Sequence, residues 1–244
     1  MRRLRWQVKL AASFLPLLLL IPLAGGEERK EKTAGNETAV SAVTASAEPS
    51  ASPVSDPKTL SEWRSVNPNV HWLLHFEKEG RTLPVLSGGD DAYLMKHDPF
   101  GRRDDMGSVF TDPAGYQPDN MVIYGHSSKR RDEQFTFLKK YAESSYFDAY
   151  PALFLESEEG MQEYGVISFG LYDLNDENTY VMWANQWFDD EEDVKQMFSQ
   201  TVPYLLQKRE GAVYNGQHIL TLVTCDMQEK DSRFVLQALE KEAQ

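Results

Sequence analysis

One cysteine, Cys225, occurs in 244 residues, so no disulfide can form within a single chain. Basic charge is also scarce: 25 Lys and Arg stand against 38 Asp and Glu, a net charge of -13. Without a basic stripe to neutralise phosphates, a nucleic-acid partner is excluded, and the acidic body is a poor match for an anionic membrane surface. No internal repeat is present. His71, His75, His97 and His218 show no metal-ligand spacing. The acidic run Asp173-Leu174-Asn175-Asp176-Glu177-Asn178 lacks the spacing and glycine of a calcium loop and reads as a solvated turn. Neither a metal nor a cofactor is expected. Long hydrophobic runs are missing too. The longest, residues 10–24, is interrupted by Pro16 and Pro22 and falls short of the roughly 20 residues a spanning helix needs.

That run follows Arg2, Arg3, Arg5 and Lys9. Residues 1–26 therefore read as a secretory signal peptide, with Ala24-Gly25-Gly26 offering small residues for cleavage, or as an uncleaved signal-anchor with Trp6 at the inner interface. The basic bias puts the N-terminus in the cytoplasm and the body of the chain outside it. Residues 27–57, rich in Glu, Lys, Ala, Ser, Thr and Pro, contain no aromatic residue. Such a segment cannot bury enough apolar surface to offset its ordering entropy, and it is expected to be a flexible extracytoplasmic linker. Residues 58–244 remain as the folded domain.

Within that domain the pattern is many short apolar runs broken by turn residues. Thr59-Leu60-Ser61-Glu62 is a capping box that predicts a short first helix. Residues 71–76 and 83–86 predict a strand pair, residues 108–111 and 121–126 two further strands, and residues 135–141 and 145–150 short helical turns. Residues 152–156 and 161–169 flank a hairpin turn. Residues 179–183 predict another strand. Residues 189–209 are the one long helical pattern, with acids at the start, bases at the end and Pro203 placed to kink or divide it. Residues 217–224 and 233–239 close the domain as strands. The absence of regular βαβ alternation points to a β-barrel or mixed sheet decorated by helices.

Cys225 ends the run Ile219-Leu220-Thr221-Leu222-Val223-Thr224-Cys225, where a strand would leave its sheet. A free cysteine is often a small buried hydrophobe. In an oxidising compartment, however, a single leftover thiol points to an intermolecular bridge or a reactive nucleophile. His126 ends the run Val122-Ile123-Tyr124-Gly125-His126, and Arg233 begins the strand after Cys225. Taken singly, these two have ordinary explanations as a packing histidine and a solvated arginine.

Together, Tyr124-Gly125-His126, Thr221-Leu222-Val223-Thr224-Cys225 and Asp231-Ser232-Arg233-Phe234-Val235 resemble, in order, the three signature segments of the sortases. These are cysteine transpeptidases that attach proteins to the cell wall of Gram-positive bacteria. The resemblance covers most of the chain from Asn67 onwards. Leu83-Pro84-Val85, Tyr93-Leu94 with His97-Asp98 and Gly101, and Gly107-Ser108-Val109-Phe110 are similar to class B members. So is the long interval between His126 and Cys225, which in class B holds an inserted helix.

The resemblance implies a mainly β fold: an eight-stranded β-barrel with an N-terminal helix and a long helix between strands 6 and 7. It implies Cys225 as nucleophile, His126 as acid/base and Arg233 as electrostatic partner, with Thr224, Val223 and Trp183 as substrate-binding residues. Class B members often carry serine where Val223 stands, so one hydroxyl contact to substrate is missing here. The implied partners are secreted proteins bearing a C-terminal sorting motif, a peptidoglycan precursor or pilin amine as acceptor, and the membrane through the N-terminus. A tethered enzyme suits membrane-held precursors, which favours the anchor over the cleaved signal. Two alternatives stay open from sequence: a thiol peptidase releasing its product to water, and a non-catalytic cell-wall-binding module. Papain-like proteases match less well, since their cysteine precedes their histidine.

Overall fold

Thr59 opens the first helix as the sequence predicts: its hydroxyl accepts from the Glu62 amide at 3.2 Å while Glu62 reaches back to the Thr59 amide at 3.1 Å. Helix α1 (Leu60–Val66) stops at Asn67, ahead of Pro68. In this computed structural model the structure describes residues 56–112, 118–176, 183–228 and 231–242. The expected leader, and all of the linker but its last two residues, lie outside them. Among the described residues no helix is long and apolar enough to cross a membrane.

Nine strands follow among the described residues: β1 (Val70–Phe76), β2 (Arg81–Ser87), β3 (Val109–Thr111), β4 (Asn120–Tyr124), β5 (Ala152–Ser157), β6 (Gly160–Asp173), β7 (Leu205–Lys208), β8 (Ile219–Cys225) and β9 (Ser232–Glu240). Their order is β5-β1-β2-β3-β4-β8-β9-β6-β7, and an additional β5–β6 pairing joins the two ends of eight of them. The result is a closed eight-stranded barrel with β7 hanging on the outer part of β6. Closure depends on the length of β6, whose first half pairs with β5 and whose second half pairs with β9 and β7. A closed ring leaves no unpaired barrel edge.

All eight barrel strands send side chains into one interior cluster, including Leu74, Val85, Val109, Ile123, Leu153, Val166, Leu222 and Leu236. Phe137, Leu138 and Tyr141, from a 3-10 turn at Thr136–Ala142, belong to the same cluster, as does Phe147 of α3 (Ser144–Ala149). The period-2 rule is visible in β8: Leu220 and Leu222 enter the interior while Ile219 and Val223 join clusters on the outer face.

Two pairings, β2–β3 and β4–β8, are parallel, and parallel neighbours require long crossover connections. The first crossover, residues 88–108, carries the short helix α2 (Asp91–Leu94). The second, between β4 and β8, contains β5, β6, β7 and the helix of residues 191–201.

The long helical pattern of residues 189–209 is realised only in part. Helix α4 spans Glu191–Thr201 between β6 and β7, capped by Asp190, whose carboxylate accepts from the Glu192 and Asp193 amides at 2.9 and 3.1 Å. A 3-10 turn, Val202–Tyr204, holds Pro203 and leads directly into β7. Proline has no amide hydrogen to continue the ladder, and the alternating exposure of Leu205–Lys208 suits a strand against β6. Of the strand predicted over 179–183, residues 179–182 fall outside the described residues, and Trp183 with Ala184 is helical instead.

Candidate active site

The site is assembled at the ends of three neighbouring strands. β8 and β9 are antiparallel, and Cys225 is directly opposite Arg233 in their register. Opposite residues of an antiparallel pair project to the same face, so the thiol and the guanidinium share one side of the barrel wall. On the other flank β4 runs parallel to β8 with Tyr124 level with Val223. β4 ends at Tyr124, so His126 lies two residues beyond its end, while Cys225 lies two residues beyond Val223 on β8.

Two hydrogen bonds extend this alignment beyond the end of β4. The Gly125 amide donates to the Val223 carbonyl at 3.1 Å, and the Thr224 hydroxyl donates to the Gly125 carbonyl at 2.7 Å. Gly125 must be glycine here, since a Cβ would lie 2.6 Å from the Phe135 ring. The chain thus turns just before His126 without losing its attachment to the cysteine strand.

Cys225 is half-buried and free. His126 is held below the ordinary histidine range: burial is the main cause, and the positive charge of Arg233 acts in the same direction. The Met95 carbonyl, 3.1 Å from Nε2, and the carboxylate of Asp105 oppose that fall. Arg233 is thus the cation opposite Cys225 in the register and close enough for its charge to act on His126. Arg233 also donates from Nη1 to the Ser232 carbonyl at 2.9 Å, and the same carbonyl accepts from the Asp226 amide at 3.0 Å, which fixes the start of β9 against the end of β8.

Val223, Trp183 and Thr224 are all buried, Val223 and Trp183 in one apolar cluster and Thr224 on the other face of β8. Val223 is 3% exposed and Trp183 2% exposed, and both belong to a cluster with Val122, Tyr172 and Val235 on the outer face. The Thr224 hydroxyl is engaged with Gly125. The side chain that stands in place of a hydroxyl at position 223 is packed into that cluster.

Several contributors are invisible to motif reading. Asn120 is 0% exposed. Its side-chain amide donates to the carbonyls of Trp183 and Asn185 at 3.1 and 2.8 Å, its backbone amide donates to Gln186, and its side-chain oxygen accepts from Thr221 at 2.7 Å. It therefore fastens the Trp183 segment across the outer face of β4 and β8. The entry turn Pro118-Asp119-Asn120 is the only sequence signal that marks it.

The remaining four histidines have structural contacts, His71 with the ring of its neighbour Trp72. His75 bridges Thr82 and Glu156, His97 bonds the Tyr93 carbonyl and stacks on its ring, and His218 reaches the Pro118 carbonyl. Among the described residues no group of three or more His, Cys, Asp or Glu is placed to hold a metal ion. The chemistry available is that of a thiol, an imidazole and a fixed cation at one face.

A family model described as the sortase domain matches residues 74–241. Sortase B of Clostridium perfringens is similar with a TM-score of 0.67 and 24% identity, over 75% of this chain and 100% of that one. The substrate complex of Staphylococcus aureus sortase B gives 0.66 and 19%, over 76% and 85%. Sortase B of Bacillus anthracis gives 0.62 and 21%, over 74% and 82%. At these identities the likeness is one of fold. No curated protein sequence matches significantly.

Proposed function

This chain belongs to the sortase family, and from that premise we propose that it is a class B-like sortase. It cleaves a C-terminal sorting motif of secreted proteins through a thioacyl intermediate on Cys225 and transfers the acyl group to a cell-wall or pilin amine. The observation that carries this reading is the junction of strand ends that sets Arg233 opposite Cys225 and bonds Gly125, the neighbour of His126, to Val223 and Thr224.

In this mechanism the Cys225 thiol gives its proton to His126 as sulfur attacks the scissile carbonyl. Burial keeps that imidazole neutral and receptive near neutral pH. Negative charge develops on the carbonyl oxygen and on sulfur, and Arg233 stabilises it with a charge that no working pH removes. His126 then protonates the departing amine as the C–N bond breaks, leaving a thioester. The acceptor amine attacks that thioester, loses its proton to His126 and expels the Cys225 sulfur, which recovers the proton. Val223 and Trp183 back the wall along which the sorting peptide lies.

The basic and apolar order of residues 2–24 supports a domain outside the cytoplasm, tethered through its N-terminus.

A panel of sorting peptides incubated with the purified chain, with and without amine acceptors, tests the reading. Cys225→Ala is expected to abolish both cleavage and ligation; retained ligation by that variant would sink the assignment. Cleavage with no ligated product for any amine would identify a peptidase instead.

A further inference from the structure

The His126 imidazole leans on a backbone carbonyl, that of Met95, 3.1 Å from Nε2. A carbonyl only accepts, so Nε2 carries a proton and Nδ1 is left to exchange one with the thiol or the amine. Met95 is the C-cap of α2, and a last-turn carbonyl has no partner within its own helix. Two residues outside α2 confine it.

Gly107 has φ +58, and a Cβ there would stand 2.6 Å from the Met95 carbonyl carbon and 2.7 Å from its oxygen. The missing side chain is the space in which that carbonyl lies. Gln134 secures Gly107 in turn, donating from Nε2 to the Gly107 carbonyl at 2.9 Å. It does so from φ +49, the one positive-φ non-glycine residue among the described residues. That backbone conformation is strained for a residue with a Cβ and persists only where its surroundings over-determine it.

The next residue, Phe135, bonds the His126 carbonyl through its amide at 3.0 Å and presses its ring against Gly125. A further tie joins the same two loops: Arg131 grips Asp104 through both guanidinium nitrogens, at 2.5 and 2.9 Å. The charged groups that act on the ring are Arg233 from β9 and Asp105 from the loop before Gly107.

We propose that Gly107 and Gln134 are positioning residues for His126, holding the Met95 carbonyl against the imidazole so that the ring keeps one tautomer and one orientation. This role rests on the reading of Cys225 and His126 as a working pair.

The test uses full-length protein carrying Cys225→Ala with isotope-labelled histidine. The His126 signals, among those of five histidines, are identified by their loss in His126→Gln. In Gln134→Met, which keeps the side chain's length and removes the donor, the Nε2–H tautomer loses its dominance. The His126 midpoint moves to lower pH by about 0.5, because a carbonyl acceptor favours the charged ring. Gly107→Ala does the same more strongly. Should Gly107→Ala fail to fold, Gln134→Gly serves beside Gln134→Met, since glycine accepts the positive φ while deleting the donor. Unchanged tautomer and midpoint in a folded Gln134→Met or Gln134→Gly protein overturn the proposal.

Alkylation of Cys225 by iodoacetamide across pH, in the chain that retains the thiol, separates this role from the reading beneath it. A profile shifted by both His126→Gln and Gln134→Met supports the positioning role. A shift with His126→Gln alone overturns the positioning role and leaves the pair intact. A profile indifferent to His126→Gln overturns the pair itself.

Discussion

His126 is acted on from two sides, and each influence is a separate handle. Burial and Arg233 push its titration down, while the Met95 carbonyl and Asp105 hold it up. Replacing Arg233 with Gln removes a cation that disfavours the imidazolium, so the His126 midpoint is expected to rise in a Cys225→Ala background, read by NMR titration. A fall on that substitution would contradict the influence of the Arg233 charge on the ring. Arg233→Lys keeps the charge but loses the planar fork, and kcat/KM should drop by about 100-fold, roughly 2.7 kcal/mol of transition-state stabilisation. Thr224→Val preserves shape but strips the hydroxyl that satisfies the Gly125 carbonyl. Its cost should be about 1–2 kcal/mol of stability, measurable by urea unfolding.

At the scale of elements, the Trp183 segment and α2 are held by different means. The segment depends on one buried side chain. Asn120→Ala removes two donors and an acceptor from an enclosed site and should cost about 3 kcal/mol. Limited proteolysis should then cut near residue 183 faster than in the parent.

Helix α2 carries an opposite liability. The Asp91 carboxyl is raised from 3.8 to about 6, first by burial and then by the negative charges of Asp112 and Asp90. The folded state therefore holds this proton more tightly than the unfolded state. The associated stability is full below 3.8 and is lost as pH rises through about 6. Asp91→Asn should stabilise the protein at pH 7.5 by about 1 kcal/mol, given partial solvent screening, and should change little near pH 4.

Strands were legible because alternation and turn residues are local: β1 with β2, and β5 with β6, fall where the runs fall. The division at Pro203 was legible as a break, but β7 was not, because its strand character comes from pairing with β6. Cys225, His126 and Arg233 could be read because each is a side chain at a strand end. Met95 and Gly107 could not, since they contribute a carbonyl and an absent Cβ, and residue patterns record neither.

For the whole molecule, the barrel's connectivity governs when the site comes into being. β4 and β8 pair in parallel although Asn120 and Ile219, partners at the start of that register, have about half of the domain's chain between them. Pairings of such sequence separation are slow to form, since loop closure must be met before contacts reward it. Refolding from denaturant should be correspondingly slow, in the millisecond-to-second range typical of non-local β topologies. The adjacent hairpin of β8 and β9 is local and can form early. During folding, then, Cys225 should meet Arg233 before it meets His126. Thiol labelling at successive refolding times should reveal two kinetic stages of Cys225 reactivity, the later one coinciding with the union of β4 and β8. A newly made chain would carry an uncommitted thiol through that interval, and the complete site would appear last.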